Sequence, residues 1–336
     1  MSRYSKAHEV PAGPGDARPT AEQILKDENA EGKLVGKVVV VTGTSSGLGV
    51  ETARVMSLTG ARLFLIARDL NKMRQALGAA LLESAEGRLE LIQMDHESLA
   101  SVRTAAEEIL RKANNQVNIL INNAGVMATP NREITKDGYE QQFQVNHLSH
   151  FLLFQLLKPA LLASASSQLS SRVVNIAASG HQFGPLQESD NYNFEKTDYN
   201  PFAAYGQSKT ANIYMANQID RLYGAQGLHA TSLHPGIIHT GLVKNIPASM
   251  WEEWRKDDTM LKKSKSVEQG AATTIWAAIG QDWENKGGKY LADCGEPGPG
   301  NGPNIEIQHA AYAYHPENEA RLWKDSLKLV GLPEDQ

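Results

Sequence analysis

The sequence predicts an α/β fold in which helices cover both faces of one doubly wound parallel sheet. The run of four valines at positions 38–41 is bounded by glycines and is typical of a strand buried on both faces. A glycine-rich segment follows this run directly. Further short apolar runs alternate with helical patterns along the chain, which indicates parallel strands joined by helices.

The predicted elements follow one another in a regular order. Ser98 is placed to cap the helix after the third strand, and residues 21–26 suit one helical turn or more. We expect strands at 38–41, 62–67, 89–94, 118–121, 173–176 and 229–233. We expect helices at 49–59, 69–82, 98–112, 139–162 and 201–223.

No repeat and no linker divides the chain, so we predict one domain over residues 33–336. Residues 1–32 are polar and rich in proline, glycine and alanine, and we expect this extension to be flexible or draped over the surface. Residues 245–265 carry apolar side chains at spacings that suit an amphipathic lid over an apolar pocket. A helix that simply packs on the core is the alternative.

The composition excludes several classes of function. Of the 336 residues, 41% are hydrophobic and 21% are charged, an ordinary globular balance. The net charge of −5 gives no reason to expect nucleic acid, and no apolar run is long enough to span a membrane. Cys294 is the only cysteine, so we expect no disulfide, no metal site and a cytoplasmic location. The expected partner is a small-molecule substrate, with a homodimer as an open alternative.

Glycines at positions 43, 47 and 49 follow the first strand and open the first long helix. Glycine lets the backbone turn tightly and approach a pyrophosphate, while the helix N-terminus supplies N–H donors. The spacing therefore predicts a dinucleotide site in a Rossmann-type sheet. A generic strand-to-helix turn is the alternative interpretation of this motif.

The residues after the second and third strands indicate how the adenosine end is held. Ala67 stands where a carboxylate would bind a ribose 2′-hydroxyl, and Arg68 and Lys72 suit a 2′-phosphate instead. We therefore predict NADP(H); a solvated Arg68 paired with Asp69 is the alternative. Asp95 is placed either to accept from the adenine amino group or to cap the next helix.

Tyr205 and Lys209 lie four residues apart and project from the same face of the helix predicted at 201–223. Lowering a phenol pKa from about 10 to about 7 needs roughly 4 kcal/mol, and a close ammonium in a dry pocket supplies much of it. This pair predicts a tyrosine that acts as an acid or a base. A chance occurrence of the spacing is the alternative, but the helix follows the fifth strand, whose end faces the glycine loop.

From about residue 37 to 330 the chain resembles the short-chain dehydrogenase/reductase family. Within that family it is most similar to the branch of the retinol dehydrogenases and the WW-domain oxidoreductase. Its N-terminal lead-in is similar to fungal members, which often serve secondary metabolism. The motifs that carry the resemblance are Thr42-Gly43-x-x-x-Gly47-x-Gly49, Asp95, Asn122-Asn123-Ala124-Gly125, Val145-Asn146-His147-Leu148, Tyr205-x-x-x-Lys209, Pro235-Gly236 with Thr240, and residues 287–294.

The resemblance implies a role for each matching residue. Tyr205 would be the acid or base, Lys209 would lower its pKa and bind ribose, and Asn146 would hold a water that links Lys209 to solvent. Asn123 would line the adenosine side, while residues 238 and 240 would contact the nicotinamide carboxamide. The predicted catalytic set is Tyr205, Lys209, Asn146 and Ser179. The predicted cofactor-binding set is Gly43, Ser45, Ser46, Gly47, Leu48, Gly49, Arg68, Lys72, Asp95, Asn123, Ala124, Gly125, Tyr205, Lys209, Pro235, Gly236, Ile238 and Thr240.

The chain departs from the family at the serine that orients the substrate carbonyl. The family pattern, counted from Asn175, places that serine at Ala178, and a serine follows one residue later at Ser179. Either Ser179 swings into the site, or the enzyme works without the hydroxyl, or the protein no longer performs redox chemistry. Loss of one such donor costs about 3–4 kcal/mol of transition-state stabilisation. His181 could donate to a substrate oxygen, and a histidine without a special role is the alternative.

These observations lead to one functional expectation and one alternative. The expectation is an NADP(H)-dependent oxidoreductase that interconverts a bulky, lipophilic ketone or aldehyde and its alcohol. The alternative, motivated by Ala178, is a repurposed NADP-binding fold without net hydride transfer, such as an isomerase, a cyclisation catalyst or a binding module. His147 and His150 share a helix face, but no carboxylate or cysteine completes a metal set nearby.

Overall fold

A computed structural model describes residues 2–246, 248–300 and 304–334. Within these residues, seven parallel strands form one sheet in the order β3-β2-β1-β4-β5-β6-β7, with helices on both faces. The predicted α/β fold, a single Rossmann-type doubly wound sheet, is therefore confirmed. The strands are β1 (Val38–Thr42), β2 (Arg62–Ala67), β3 (Leu89–Gln93), β4 (Ile119–Asn122), β5 (Ser171–Ile176), β6 (Leu228–His234) and β7 (Lys289–Ala292).

The helices connect these strands and continue beyond the sheet. Ser98 caps its helix as predicted, because its hydroxyl accepts a hydrogen bond from the Ser101 N–H. The described helices are α1 (Ala21–Asp27), α2 (Leu48–Leu58), α3 (Leu70–Ser84), α4 (Leu99–Lys112), α5 (Gln141–Phe143), α6 (Ser149–Ser164), α7 (Pro201–Tyr223), α8 (Ala248–Lys256), α9 (Asp258–Lys263), α10 (Val267–Gly270), α11 (Ala272–Ile279) and α12 (Pro316–Leu329). None of them is both long and apolar enough to cross a bilayer.

Strand β1 separates two apolar layers. Val38 and Val40 face a layer built largely from α4, α6, α7 and α12, whereas Val39 and Val41 face a layer that includes α1, α2 and α11. All four valines are almost fully buried. Because alternate side chains of a strand point to opposite faces, a continuous apolar run is what such a central strand requires.

Three elements differ from the sequence predictions. The helix expected at 139–162 is interrupted by a π-helical turn, Gln144–Leu148. The lid expected as one helix at 245–265 is two, α8 and α9, because the Asp257 carboxylate accepts from two backbone N–H groups and starts a new helix there. Strand β7 was not predicted, because four residues at the sheet edge give too short an apolar pattern.

The N-terminal extension packs against the domain. Ile24 and Leu25 of α1 are buried in the same apolar layer as α11. Arg18 is also buried, and its guanidinium donates to the backbone oxygens of Lys263 (2.8 Å) and Ser264 (2.6 Å) at the end of α9. The extension therefore contacts the end of the segment proposed as a lid, and the division at residue 32 stays a prediction.

Candidate active site

The glycine loop between β1 and α2 leaves no room for side chains. A Cβ atom at Gly49 would lie 2.1 Å from the Gly43 carbonyl oxygen. A Cβ atom at Gly43, where φ is +75°, would lie 2.8 Å from the Ala124 Cα. These contacts bring the predicted segment 123–125 against the loop, at the edge where the ends of β1 and β4 are adjacent. This is the switch point at which doubly wound sheets bind ligands.

The N-terminus of α2 is open to a ligand. Its N-cap, Gly47, has no side chain that could bond the first N–H groups of the helix. Ser46 is exposed and Ser45 half-buried beside it, and Thr240 packs within 3.1–3.2 Å of the space where a Gly47 side chain would begin. A cradle that a Cβ would fill, at the N-terminus of a helix without a side-chain cap, fits a pyrophosphate. The described residues thus fit the predicted dinucleotide.

Thr42 joins this cradle to α6 and the π-helical turn before it, a role that the sequence did not reveal. Its hydroxyl accepts from the N–H groups of Asn123 and Ala124, both at 2.9 Å, so its own proton is donated to His150 Nε2 at 2.9 Å. His150 Nδ1–H then donates to the Asn146 carbonyl (3.0 Å). Burial lowers the pKa of His150 far below its usual value, which keeps the ring neutral in this chain of bonds.

The adenosine side has an exposed basic pair. The Arg68 side chain is 71% exposed and its nearest acidic partner is Glu97 at 3.7 Å, not Asp69 as the alternative interpretation held. Asp69 instead caps α3 by accepting from the Asn71 and Lys72 N–H groups. Arg68 is therefore available to a 2′-phosphate, and the Lys72 side chain is exposed one turn further on.

Asp95 and Asn123 both make structural bonds. The Asp95 carboxylate accepts from the Glu97 N–H through one oxygen, while Ser98 is the cap of α4, so the turn uses only part of the carboxylate. The Asn123 amide donates to the Thr42 carbonyl at 2.8 Å and ties β1 to β4. Its side chain therefore holds the glycine loop in place.

The structure brings Asn146 and Lys209 together at Gly125, and Tyr205 lies beside Lys209 on the same helix. Asn200 caps α7 and Pro201 begins it, which fixes where the Tyr205–Lys209 face starts. The Lys209 ammonium lies 5.5 Å from the centre of the Tyr205 ring and donates to the Ile176 carbonyl at 2.8 Å. A Cβ atom at Gly125 would lie 3.2 Å from Asn146 Oδ1 and 3.6 Å from Lys209 Nζ.

Asn146 lies in the π-helical turn, a feature that is frequent at functional sites. Its side-chain amide accepts from the Val126 N–H (2.8 Å) and donates to the Val126 carbonyl (2.9 Å) and to Ser208 Oγ (2.9 Å). Asn146 is completely buried. It thus fixes the backbone next to Gly125, and its role in holding a water stays a prediction.

The charges of the pair differ from the sequence expectation, in which Lys209 lowers the pKa of Tyr205. Burial lowers the pKa of Lys209 to about 7, and burial together with the Glu306 carboxylate raises the pKa of Tyr205 above its usual value. The pKa of Tyr205 is thus raised overall, and a lowering of it by Lys209 stays a prediction. The physical reason is that both side chains are almost fully buried, at 3% and 5% exposed, so each favours its uncharged form.

Ser179 does not make a hydrogen bond to Tyr205 among the described residues. Its hydroxyl donates instead to Glu306 Oε1 at 3.0 Å, and the other carboxylate oxygen bonds to His234 Nε2. Ala178 has an extended backbone, and Ser179 begins a 3₁₀ turn, Ser179–Phe183. This direction of the hydroxyl could not be predicted, because Glu306 lies 127 residues further along the chain.

The segment after β6 forms the remaining side of the site. Gly236 packs against Lys265, whose ammonium donates to Asp293 (2.6 Å) and to the Pro235 carbonyl (3.3 Å). Ile238 lies against Gly270 at the end of α10. The predicted residues 235–240 are thus held beside the glycine loop by a buried lysine that sequence reasoning missed.

Three histidines near the site have structural bonds. His181 donates from Nδ1 to the Ala178 carbonyl (2.7 Å) and accepts the Ala310 N–H at Nε2 (3.1 Å), so it is not free to contact a substrate. His147 and His150 are fully buried, and His147 bonds to Ser326 at 2.9 Å. No group of three metal-ligating side chains occurs in the part of the chain that the structure describes.

Comparison with known proteins identifies the family. A model of the short chain dehydrogenase family matches residues 37–251. The chain belongs to the short-chain dehydrogenases, a family of oxidoreductases. It is 46% identical to short-chain dehydrogenase/reductase prx1 of Penicillium roqueforti over 99% of this chain and 96% of that protein.

Two further comparisons agree with the family assignment. The human WW domain-containing oxidoreductase is 35% identical over 83% of this chain and 66% of its own length, which confirms the expected similarity to that branch. Among solved structures, the NADP active-site complex of Pseudomonas aeruginosa RhlG is 25% identical with a TM-score of 0.60, covering 78% of this chain and 96% of that one.

Proposed function

We propose that this protein is an NADP(H)-dependent carbonyl reductase that converts a bulky, lipophilic ketone or aldehyde to its alcohol and, in reverse, oxidises the alcohol. One observation carries the proposal: Lys209 and Asn146 meet at Gly125, beside the glycine cradle, and Tyr205 lies next to Lys209. A dinucleotide in that cradle would extend its nicotinamide toward this group, because both lie at the carboxyl edge of the sheet.

The choice of NADP(H) over NAD(H) rests on the adenosine side. Arg68 is exposed directly after β2, Lys72 is exposed in the first turn of α3, and no carboxylate occupies position 67. A guanidinium binds a phosphate through several charge-assisted hydrogen bonds, whereas a carboxylate there would repel it. The NADP complex of the related RhlG structure supports the same cofactor.

In the proposed reaction, the bound cofactor supplies or accepts a hydride, and the side chains handle the proton. Tyr205 donates its phenolic proton to the carbonyl oxygen of the substrate, and its raised pKa keeps that proton in place before the reaction. Lys209, with a pKa of about 7, can gain and lose a proton at neutral pH and so can restore the phenol. Asn146 fixes the Val126 backbone, next to Gly125.

The proposal of a bulky, mainly apolar substrate rests on the apolar side chains of residues 245–265. Residues 248–263 form two short helices next to the site, and Asn245 is tied to the Met127 carbonyl at 3.1 Å. The catalytic tyrosine is almost fully covered, which excludes water during hydride transfer. A place in secondary metabolism stays a prediction from the resemblance to fungal members.

The proposal is tested by NADPH oxidation with a panel of bulky ketones. The Tyr205→Phe variant should lose a factor of about 100 to 10,000 in kcat, the usual contribution of a positioned acid. Tyr214→Phe is the matched control, because Tyr214 lies on the same helix and donates to the Tyr312 carbonyl, away from the site. Equal rates for the wild type and Tyr205→Phe would remove Tyr205 from the mechanism.

A second candidate is catalysis of proton transfer without net hydride transfer. It is favoured by Ala178 at the expected serine position and by the Ser179 proton, which is bonded to Glu306 rather than offered to a carbonyl. Stereospecific transfer of deuterium from labelled NADPH to the product would exclude this candidate. Turnover of a substrate with the cofactor unchanged would support it.

A further inference from the structure

Resting on the proposed carbonyl reductase function, we propose that Glu306 makes the enzyme select ketones or aldehydes that carry a hydroxyl group next to the reacting carbonyl. The inference concerns the hydrogen-bonded group that Ser179, His234 and Glu306 form, which we call the Glu306 wall. Glu306 would accept a hydrogen bond from the substrate hydroxyl while Tyr205 donates to the carbonyl oxygen.

The position of Glu306 beside the catalytic tyrosine follows from two consecutive residues. Ser179 donates to the Glu306 carboxylate at 3.0 Å. The next residue, Gly180, packs so closely on Tyr205 that a Cβ atom there would lie 2.8 Å from a ring carbon. His234, which holds the other carboxylate oxygen, ends β6 at the same edge of the sheet. Burial and, after it, the Glu306 carboxylate raise the pKa of Tyr205, so this carboxylate lies close enough to the phenol to oppose its ionisation.

The hydrogen bonds within the Glu306 wall leave acceptor oxygens available to a substrate, but they leave no hydroxyl proton that could be donated to it. The Ser179 proton is already donated to Glu306, so Ser179 cannot also donate it to a substrate carbonyl. Burial opposes ionisation of Glu306, but the His234 ring and the bonds from His234 and Ser179 outweigh it and hold the pKa of Glu306 below its usual value. The charged carboxylate keeps unused lone pairs for a further donor.

The segment that carries Glu306 is held at both ends, so the carboxylate has a fixed position. Gln182 donates to the backbone oxygens of Ile305 (2.8 Å) and Gln308 (3.1 Å), on either side of Glu306. The Lys263 ammonium at the end of α9 donates to Asn304 at 3.1 Å. A fixed acceptor discriminates between substrates better than a mobile one, because its hydrogen bond is already oriented.

The consequence for the substrate follows from desolvation. A ketone without a neighbouring hydroxyl would displace water from the charged Glu306 carboxylate and would offer it no hydrogen-bond donor in return. A hydroxyl beside the carbonyl supplies the missing donor, whereas a carboxylate on the substrate would be repelled. A hydrogen bond to a charged group typically changes affinity or rate by about 10- to 100-fold.

The test compares acetophenone with 2-hydroxyacetophenone, which differ by the neighbouring hydroxyl, in NADPH oxidation by the full-length enzyme. We expect the wild type to favour the hydroxyketone by about 10- to 100-fold in kcat/KM. Glu306→Gln should reduce this preference to within about 3-fold, and Glu306→Ala provides a second variant without the side-chain acceptor. Glu296→Gln, an exposed position on the same C-terminal segment, should retain it.

A binding measurement separates recognition from catalysis. Calorimetric titration of both ketones into the protein saturated with NADP⁺, which cannot deliver a hydride, should show the same preference and its loss in Glu306→Gln. Equal affinities and equal kcat/KM for the two ketones in the wild type would overturn the inference while leaving the reductase proposal intact. Unchanged rates in Tyr205→Phe would instead refute the reductase proposal.

Discussion

Replacing Lys209 by methionine should abolish a pH dependence of folding stability that the wild-type protein shows above pH 7. Burial lowers the pKa of Lys209 from 10.5 to about 7 in the folded protein. Between these values the unfolded chain binds a proton that the folded protein does not, so stability rises with pH. Methionine has a similar length, fills the same space and does not titrate.

The size of the effect follows from the pKa difference. Each tenfold change in proton concentration contributes about 1.4 kcal/mol while the two states differ by one proton. From pH 7.5 to pH 9.5, the free energy of unfolding of the wild type should therefore rise by about 3 kcal/mol relative to Lys209→Met. Solvent screens the Lys209 amine very little, because only 3% of the residue is exposed.

Urea denaturation of both proteins at pH 7.5, 8.5 and 9.5 measures this difference. Lys26→Met is the control: Lys26 is exposed and paired with Glu22, and its pKa is raised by that partner, so its titration lies above the pH range used. The difference between the wild type and Lys26→Met should stay constant. A constant difference between the wild type and Lys209→Met would refute the argument that burial holds this amine uncharged.

Three further predictions concern the cradle, the phosphate site and the extension. Gly49→Ala should weaken NADPH binding at least 10-fold in a fluorescence titration, because its methyl group would overlap the Gly43 carbonyl; unchanged binding would contradict the cradle. Arg68→Ala should raise the Kd of NADPH about 10-fold in calorimetry and leave NADH unaffected, and an equal loss for both cofactors would argue against a phosphate contact. Arg18→Ala should lower the free energy of unfolding by about 3 kcal/mol or more, because the backbone oxygens that bind the buried guanidinium lose their hydrogen bonds. Arg74 is exposed, so Arg74→Ala should change the free energy of unfolding by less than about 0.5 kcal/mol. Equal effects in the two arginine variants would contradict the inference that the N-terminal extension stabilises the fold through the hydrogen bonds of Arg18.

The parts of the fold that were predictable have strong local patterns. The valine run, the glycines after it and the start of α7 at Asn200-Pro201 each depend on a few adjacent residues. The four-residue strand β7 has no such pattern, since it is a strand only because β6 offers it a partner. The π-helical turn at Asn146 was also missed, because its flanking sequence suits an uninterrupted helix.

The candidate site likewise has residues that the sequence could predict and residues whose roles it could not. Tyr205, Lys209 and Asn146 could be named from motifs, and the structure places Lys209 and Asn146 at Gly125 and Tyr205 beside Lys209. The roles of Thr42 and Glu306 were not visible, because each depends on a partner about 100 or more residues away. His234 had a usable signal that the sequence analysis did not use, since it follows directly on the strand predicted at 229–233 and the residue after such a strand lies at the carboxyl edge of the sheet.

The amino-acid order alone determined the strand–helix alternation, the glycine turn and the spacing of tyrosine and lysine, because backbone conformation and helical periodicity are local properties. Tertiary structure alone decided the protonation of that pair and the direction of the Ser179 hydroxyl. Both depend on what surrounds a group in space: burial favours uncharged Tyr205 and Lys209, and a carboxylate from a distant segment takes the serine proton.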